Sequence, residues 1–393
     1  MPVRKRRRWP INEVLMTSSE SHPIVMWELT RACDMHCRNC SIGATGTPGA
    51  NELTTYEVYK TIDQIDVLAP REFIITGGDP LAREDIAQII NYARRRGLDP
   101  ALVVSPTHQL TADAITRLER NGLTRIIFNI DGSSPAIHEG VKGTTGTFGI
   151  TLHAMRWAEQ AGLSIEVNTL ITRHNAGDLR AIADLIRPMG IKRWNLYFLV
   201  PITASNQSAM ITASEAESLF GTFDEIQRNE TFALRVVEAP HYRRYLLQRN
   251  LQTRIDNATV GSWEDFRGYE TDDDHPQRDL VASAIDNARG FVFISHAGDV
   301  RASEFLLASA GNLRYRPLSQ IYRGSDLLVA LRDPANLTGR CGRCEFRHIC
   351  GGSRARAWVT EGNIFADDPL CDYEPGVAMP LQAAAHGHAE ASS

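Results

Sequence analysis

The sequence predicts an α/β protein: a partial (β/α)6 barrel of the TIM type, followed by a small cysteine-rich C-terminal domain. Three observations predict it. Between residue 24 and about residue 230, short apolar runs alternate with amphipathic stretches, and there are six such units. The apolar runs are nearly continuous, as strands covered on both faces require. Beyond about residue 230 that rhythm stops, and four of the seven cysteines fall between residues 341 and 371.

The strands are expected at 23–29, 72–76, 100–105, 125–131, 164–171 and 193–200. "TYEVYKTIDQIDVL", "EDIAQIINYARRRG", "ADAITRLERNG", "FGITLHAMRWAEQAG" and "DLRAIADLIRPMG" supply the helices between them. Several end in Gly, which a helix C-terminus favours. Strand–helix alternation implies parallel strands joined by crossover helices. Trp194, Tyr197 and Phe198 on the sixth strand read as core. The chain divides into a basic tail (1–22), the barrel (23–230), a polar connecting region (231–289), the cysteine-rich domain (290–376) and a disordered tail (377–393).

The bulk numbers exclude some functions. A net charge of −5 speaks against a dedicated nucleic-acid binder. No apolar run approaches the roughly 18 residues of a membrane span. The start "MPVRKRRRWP" has no apolar stretch after it, so it does not read as a secretory signal. A cytoplasmic protein is expected. The run Arg4 to Arg8 reads as a solvated basic tail.

The first chemical motif is "TRACDMHCRNCSIG". Cys33, Cys37 and Cys40 stand in a C-x3-C-x2-C pattern directly after the first strand. An odd number of cysteines and no secretory signal fit a disulfide framework poorly. Structural zinc would want four ligands. Three thiolates instead suit a 4Fe-4S cluster with one iron left open to a ligand. The C-terminal end of a barrel strand is where chemistry is placed in such folds. The second motif, "TGGDP" (Thr76 to Pro80), follows the second strand.

Together these motifs resemble the radical S-adenosylmethionine superfamily. The resemblance implies that the cysteine triplet holds a 4Fe-4S cluster. It also implies that Gly77, Gly78, Asp79 and Pro80 receive the methionine end of S-adenosyl-L-methionine, with Asp79 where Glu is commoner. Glycines there would let the backbone approach the ligand closely. "NIDGSSPAIHEGVKG" is similar to a further stretch of the family. Asp131 and Gly132 match directly, Asn129 takes the place of a Ser, and Lys142 takes the place of an Arg. Ser105 is a weaker nucleoside-pocket candidate. Asn39 departs from the pattern, because an aromatic residue often precedes the third cysteine.

Cys341, Cys344, Cys350 and Cys371 are spaced C-x2-C-x5-C-x20-C. By themselves they suit either a second 4Fe-4S cluster or a structural zinc. Beside the first motif, the segment resembles the SPASM and shorter twitch auxiliary-cluster domains. This implies one fully ligated auxiliary cluster, and two clusters in all. Ser303 stands near the place where a full SPASM domain carries a further cysteine. Gly351 and Gly352 are expected to turn the backbone beside the cluster. Arg354 and Arg356 are expected to be its positive neighbours or to hold an anionic substrate.

The spacing is most similar to enzymes of haem d1 synthesis and of the alternative haem pathway. The resemblance therefore implies reductive cleavage of S-adenosyl-L-methionine to a 5′-deoxyadenosyl radical, hydrogen abstraction from an unreactive C–H, and side-chain modification of an iron tetrapyrrole. It also implies a low-potential electron donor of the flavodoxin or ferredoxin type. For substrate contacts, "EAPHYRRY" offers Glu238, Arg243 and Arg244, the guanidiniums as bidentate partners for carboxylates. His241 and Tyr242 are the candidate catalytic, proton-moving groups. A peptide (in natural-product or protein maturation) or another metabolite is the alternative substrate. The short stretch before the barrel, about 22 residues, favours a small molecule. A non-catalytic iron–sulfur or zinc scaffold is the remaining alternative.

Overall fold

A computed structural model describes residues 22–257 and 288–376. The basic run at 4–8, the tail at 377–393 and the part of the connecting region between 258 and 287 lie outside the described residues.

The six expected strands form where the apolar runs lie. They are β1 (Ile24–Glu28), β2 (Glu72–Thr76), β3 (Pro100–Val103), β4 (Arg125–Asn129), β5 (Ser164–Ile171) and β6 (Arg193–Phe198). Four more follow: β7 (Ala233–Val237), β8 (Phe291–Ile294), β9 (Asp299–Arg301) and β10 (Gly311–Asn312). All belong to one sheet of order β10-β9-β8-β1-β2-β3-β4-β5-β6-β7. From β8 through β1 to β7 every pair is parallel, whereas β9 and β10 add antiparallel.

Two strands therefore cross the expected boundaries. β7 extends the parallel run past residue 231, into the segment read as a connector. β8 pairs with β1 instead of opening a separate domain. The helices begin as their caps dictate. Thr54 and Glu57 form a reciprocal capping box at Thr55–Val67, and Thr111 caps Ala112–Arg120.

Alternate residues of each strand face two apolar layers. Val25, Trp27, Ile75, Leu102, Ile126 and Phe128 pack outward against the helices. Ile24, Met26, Ile74, Ala101, Ile127, Val237, Phe291 and Phe293 form a second cluster that brings together strands far apart in the sheet order. The barrel's interior is also bridged by charge at the N-terminal ends of the strands. Glu72 of β2 accepts from Arg193 of β6 at 3.0 Å and from Arg235 of β7 at 3.0 Å. Glu166 of β5 accepts from Arg125 of β4 at 2.7 Å. Burial raises the Glu72 carboxyl, but Arg235, Arg193 and Arg125 overcome this and hold it at about 2.

At the other end the register aligns the functional loops. Glu28 of β1 is level with Thr76 of β2, so the cysteine loop and the "TGGDP" turn emerge side by side. No helix among the described residues is long and apolar enough to cross a membrane.

Candidate active site

The cysteine loop is closed on itself by its own backbone. The Cys33 amide donates to the Thr45 carbonyl at 2.8 Å, and the Thr45 amide donates back to Arg31 at 2.9 Å. Glu52 accepts from the Thr30 hydroxyl and from the Arg31 and Gly49 amides, at 2.7–2.9 Å. The Arg31 guanidinium clamps the Ile42 and Gly43 carbonyls. With its ends tied, the loop turns two amides onto sulfur: Met35 on Cys33 Sγ at 3.4 Å and Ala44 on Cys40 Sγ at 3.3 Å. Such donors favour thiolate, the form that ligates iron.

All three cysteines line one cavity of roughly 1150 Å³ at the C-terminal ends of the strands. Burial pushes the Cys33 thiol up to about 11. Burial also raises Cys37, with the Lys142 ammonium opposing it. Iron binding would displace those protons. Three thiols, amides aimed at sulfur and one adjacent cation fit a cluster of net negative charge.

The glycines of "TGGDP" make a close contact with the cysteine loop. Gly77 lies at φ +149, and a Cβ there would meet the Thr30 carbonyl oxygen at 2.6 Å. At Gly78 a Cβ would meet the Ala32 carbonyl oxygen at 2.4 Å. The Gly78 amide donates to Thr30 at 2.8 Å and the Asp79 amide to Ala32 at 2.7 Å. Both glycines therefore pack against the cysteine loop's backbone, and both line the cavity wall. Asp79 is buried and turned away from the cavity. Its carboxylate accepts from the Leu81 amide at 3.0 Å and from the Thr107 hydroxyl. Asp79 and Pro80 therefore shape the turn, and neither lines the cavity.

Ser105, Asn129, Asp131 and Lys142 do line it. Ser105 donates to the Gly78 carbonyl at 2.6 Å. Lys142 ends the helix Pro135–Lys142 and pairs with Asp131 at 2.9 Å, while Asp131 also accepts from the Leu170 amide at 2.7 Å. Asn39 donates to the Val141 carbonyl at 3.2 Å, and its buried Oδ1 has no partner.

Sequence reasoning misses several lining residues, among them Asn168, Asn206, Glu304 and Phe305. Tyr197, expected in the core, lines the cavity instead, while Trp194 and Phe198 are core. The period-2 alternation along β6 is the available signal, since Tyr197 falls on the opposite face from its two aromatic neighbours.

The other four cysteines line a second cavity of roughly 430 Å³, together with Arg244, Arg340 and Arg347. The Gly352 amide donates to Cys350 Sγ at 3.4 Å, and Arg354 reaches Cys341 Sγ at 3.9 Å. Gly351 and Gly352 both have left-handed backbone, φ +72 and +67. Among the described residues no three Cys, His, Asp or Glu side chains converge closely enough to hold a single metal ion. Arg356 lines neither of these two cavities. It is fully buried, pairs with Asp368 at 2.9 Å, and donates to the Glu238 and Leu199 carbonyls. Arg354 is likewise tied down, donating to the Ile364 and Ala366 carbonyls at 2.9 and 2.8 Å.

"EAPHYRRY" also takes a different role from the expected one. It leads into the helix His241–Asn257, which packs on Ala213–Asn229. His241 is 0% exposed, with its ring 4.9 Å from that of Phe220 and neither nitrogen bonded. Burial pushes it down to about 3, so it stays neutral. Tyr242 is buried among Phe220, Phe223 and Tyr245. Neither side chain lines the barrel cavity, so they are packing groups here and not proton carriers. Glu238, at φ +59, accepts from Ser303 at 3.0 Å and from Ser353. Arg243 donates to the Ile349 carbonyl at 2.9 Å. Arg244 pairs with Glu217 at 2.5 Å and lies over the Tyr373 ring. These three bind the end of the barrel to the cysteine-rich segment, instead of facing a substrate in the barrel.

Known proteins bear on this geometry. The profile of the radical SAM superfamily matches residues 27–186. An AdoMet-dependent heme synthase of Nitratidesulfovibrio vulgaris is 31% identical over 371 residues, covering 94% of this chain and 97% of that protein. An Fe-coproporphyrin III synthase of Methanosarcina barkeri is 26% identical, covering 92% and 90%. Among solved structures, Streptococcus suis SuiB bound to S-adenosylmethionine shares the fold with a TM-score of 0.63 at 13% identity, over 90% of this chain and 78% of that one. The profile match and the full-length similarity agree: this chain belongs to the radical SAM superfamily, as an enzyme related along its length to the AdoMet-dependent heme synthases.

Proposed function

We propose that this enzyme modifies a side chain of an iron tetrapyrrole in a haem-type synthesis. The observation that carries the reading is the 31% identity over nearly the whole of both chains with an AdoMet-dependent heme synthase. Cys33, Cys37 and Cys40 would hold the 4Fe-4S cluster. Gly77, Gly78, Ser105, Asn129, Asp131 and Lys142 would line the S-adenosylmethionine site, and the unpartnered Asn39 Oδ1 is an acceptor suited to an adenine amino group. When bound, the cluster and S-adenosylmethionine supply the radical that removes hydrogen from an unreactive carbon. The chain's own part is to orient and to exclude water. Asp131 holds Lys142 against the cysteine loop, and Leu199, Val200, Ile202 and Phe305 give the cavity an apolar surface for a flat macrocycle.

The second cysteine set supports an auxiliary 4Fe-4S cluster. Four thiols line one cavity, the number that ligates such a cluster completely, and Arg244, Arg340 and Arg347 line it with them. An oxidised product requires one electron to leave, and that site is the acceptor we assign. A flavodoxin- or ferredoxin-type donor would supply the reducing electron. A peptide substrate is the second reading, favoured by a PqqA peptide cyclase of Ruegeria pomeroyi that is 25% identical over 93% of this chain and 92% of that protein.

The test is anaerobic turnover. The reconstituted protein is given S-adenosylmethionine, a strong reductant and either iron-coproporphyrin III or a sirohaem derivative. Release of 5′-deoxyadenosine together with a mass change on the tetrapyrrole is the expected result. Release that no tetrapyrrole stimulates moves the assignment to a peptide.

A further inference from the structure

The barrel cavity carries one acidic side chain that the cofactor reading does not use. Glu304 sits in the turn after β9 and lines the cavity with Tyr197, Leu199, Val200, Ile202 and Phe305. Leu199, Val200, Ile202 and Phe305 make that part of the lining apolar, and Ser41 and the Tyr197 phenol bring hydroxyls to it. Among the described residues the only hydrogen bond to Glu304 comes from the Ser41 hydroxyl, at 3.4 Å. No guanidinium or ammonium pairs with it among those residues. The one cation on the cavity wall among them, Lys142, is paired with Asp131 at 2.9 Å.

A tetrapyrrole presents carboxylates, and the arginines expected to receive them are engaged elsewhere. Arg243 and Arg244 serve the join to the cysteine-rich segment. A carboxylate entering this cavity therefore meets hydrogen-bond donors and, among the described residues, no free cation. Resting on the tetrapyrrole reading above, we propose that Glu304 is the substrate-binding residue that receives a side-chain carboxylate, standing as a neutral acid and donating its proton into the hydrogen bond, with the Tyr197 hydroxyl as second donor.

The surroundings of Glu304 favour that neutral form. Its charged and titratable neighbours are Glu238 after β7, Glu28 at the end of β1 and Tyr197 on β6. Burial is the main influence, the Glu238 and Glu28 charges add to it, the Ser41 hydroxyl opposes it, and the outcome is a carboxyl pushed up to about 8. Burial likewise raises Tyr197, which stays a phenol able to donate. An acid–carboxylate hydrogen bond is short and strong because one partner is ionised. Unlike a bidentate arginine, it places no fixed positive charge beside the substrate carboxylate.

The experiment is equilibrium binding to the cluster-loaded, full-length protein, followed by absorbance without oxygen. The probes are iron-coproporphyrin III and its tetramethyl ester, from pH 6 to 9, where the free propionates stay ionised. Wild type is expected to prefer the acid, and its affinity for the acid should fall as pH rises through about 8. Glu304→Ala should weaken acid binding about 10–100-fold, the range for one hydrogen bond to a charged group. That variant should bind acid and ester alike. Glu304→Gln keeps an N–H donor, so it should retain affinity near neutral pH and lose the pH dependence. Tyr197→Phe should weaken the acid about 3–10-fold. Iron content and thermal melting of each variant establish that it is folded.

Two results overturn the proposal alone: Glu304→Ala binding the acid as tightly as wild type, or Glu304→Gln keeping the pH dependence. A wild type that binds neither tetrapyrrole overturns this proposal and the tetrapyrrole reading together.

Discussion

The two cysteine sets are built from the same side chain and differ in almost everything around it. Cys33, Cys37 and Cys40 lie on one loop, cradled by that loop's own amides, at the edge of a cavity of roughly 1150 Å³. Cys341, Cys344, Cys350 and Cys371 span 31 residues and surround about 430 Å³ with arginines at the rim. An incomplete ligand set beside open volume leaves room for a molecule to react. A complete set in a smaller, cation-lined space would ligate a cluster fully and leave it no open iron. On the function proposed above, the first set is where chemistry happens and the second is where an electron is stored.

The sharpest way to break that assignment is to remove one cysteine from each set. Cys37→Ala should abolish 5′-deoxyadenosine release. Cys344→Ala should keep the first site's iron and its release of 5′-deoxyadenosine, yet lose conversion of the substrate. Iron analysis and electron paramagnetic resonance would show which cluster signal each variant keeps. Equal loss of 5′-deoxyadenosine release in both variants would end the division of labour.

Next in size is a buried pair within the cysteine-rich segment, whose Arg356 also donates to the Leu199 and Glu238 carbonyls of the barrel. Arg356 and Asp368 are both fully buried, at 2.9 Å. Breaking such a pair from one side leaves an uncompensated charge and costs about 3–5 kcal/mol. Arg356→Met should therefore lower the melting temperature and empty the second site before the first. Denaturant unfolding with iron release followed at both sites measures this.

The charged layer at the far end of the barrel sharpens the contrast by pH. The Glu72 carboxyl is held at about 2 in the folded chain, against roughly 4.3 when unfolded. A depressed folded value adds stability above the unfolded pKa, and that stability is lost as pH falls from about 4.3 towards 2. The two-unit shift corresponds to the order of 3 kcal/mol. Glu72→Gln should be less stable than wild type by about that much near pH 7. The gap should close near pH 2, by chemical denaturation of the apoprotein at each pH.

The smallest effect compares two glycines. A Cβ at Gly78 would strike the backbone of the cysteine loop at 2.4 Å, whereas at Gly352 it would meet the end of the Arg354 side chain at 2.6 Å. Both alanine variants should lose about 1–3 kcal/mol, for crowding at the first and left-handed backbone at the second. Gly78→Ala should selectively lower iron at the first site, and Gly352→Ala at the second. Iron distribution by spectroscopy is the readout.

Much of the site is legible in the amino-acid sequence. Strands β1 to β6, the cysteine triplet and the "TGGDP" turn are local signals, each written within a few neighbouring residues. β7 is hidden because Arg235 interrupts its five-residue apolar run. That charge makes sense only beside Glu72, 163 residues earlier. β8 is four residues long, and its partner β1 is more than 260 residues away in the chain. "EAPHYRRY" reads as a site because charged and aromatic residues crowd together there. Folding gives its central residues packing and pairing duties instead.

Spacing along the chain predicts the barrel class and picks out the two cysteine sets, whose motifs resemble those of the superfamily, because it dictates which ligands and turns can form. Folding alone selects which polar groups face a common cavity. Glu304 reaches Ser41 across 263 residues of chain, and Glu238 ties Ser303 to Ser353 across the join. The physical reason is that a side chain's chemistry depends on burial and on distant neighbours, and neither is a property of the residues beside it in sequence.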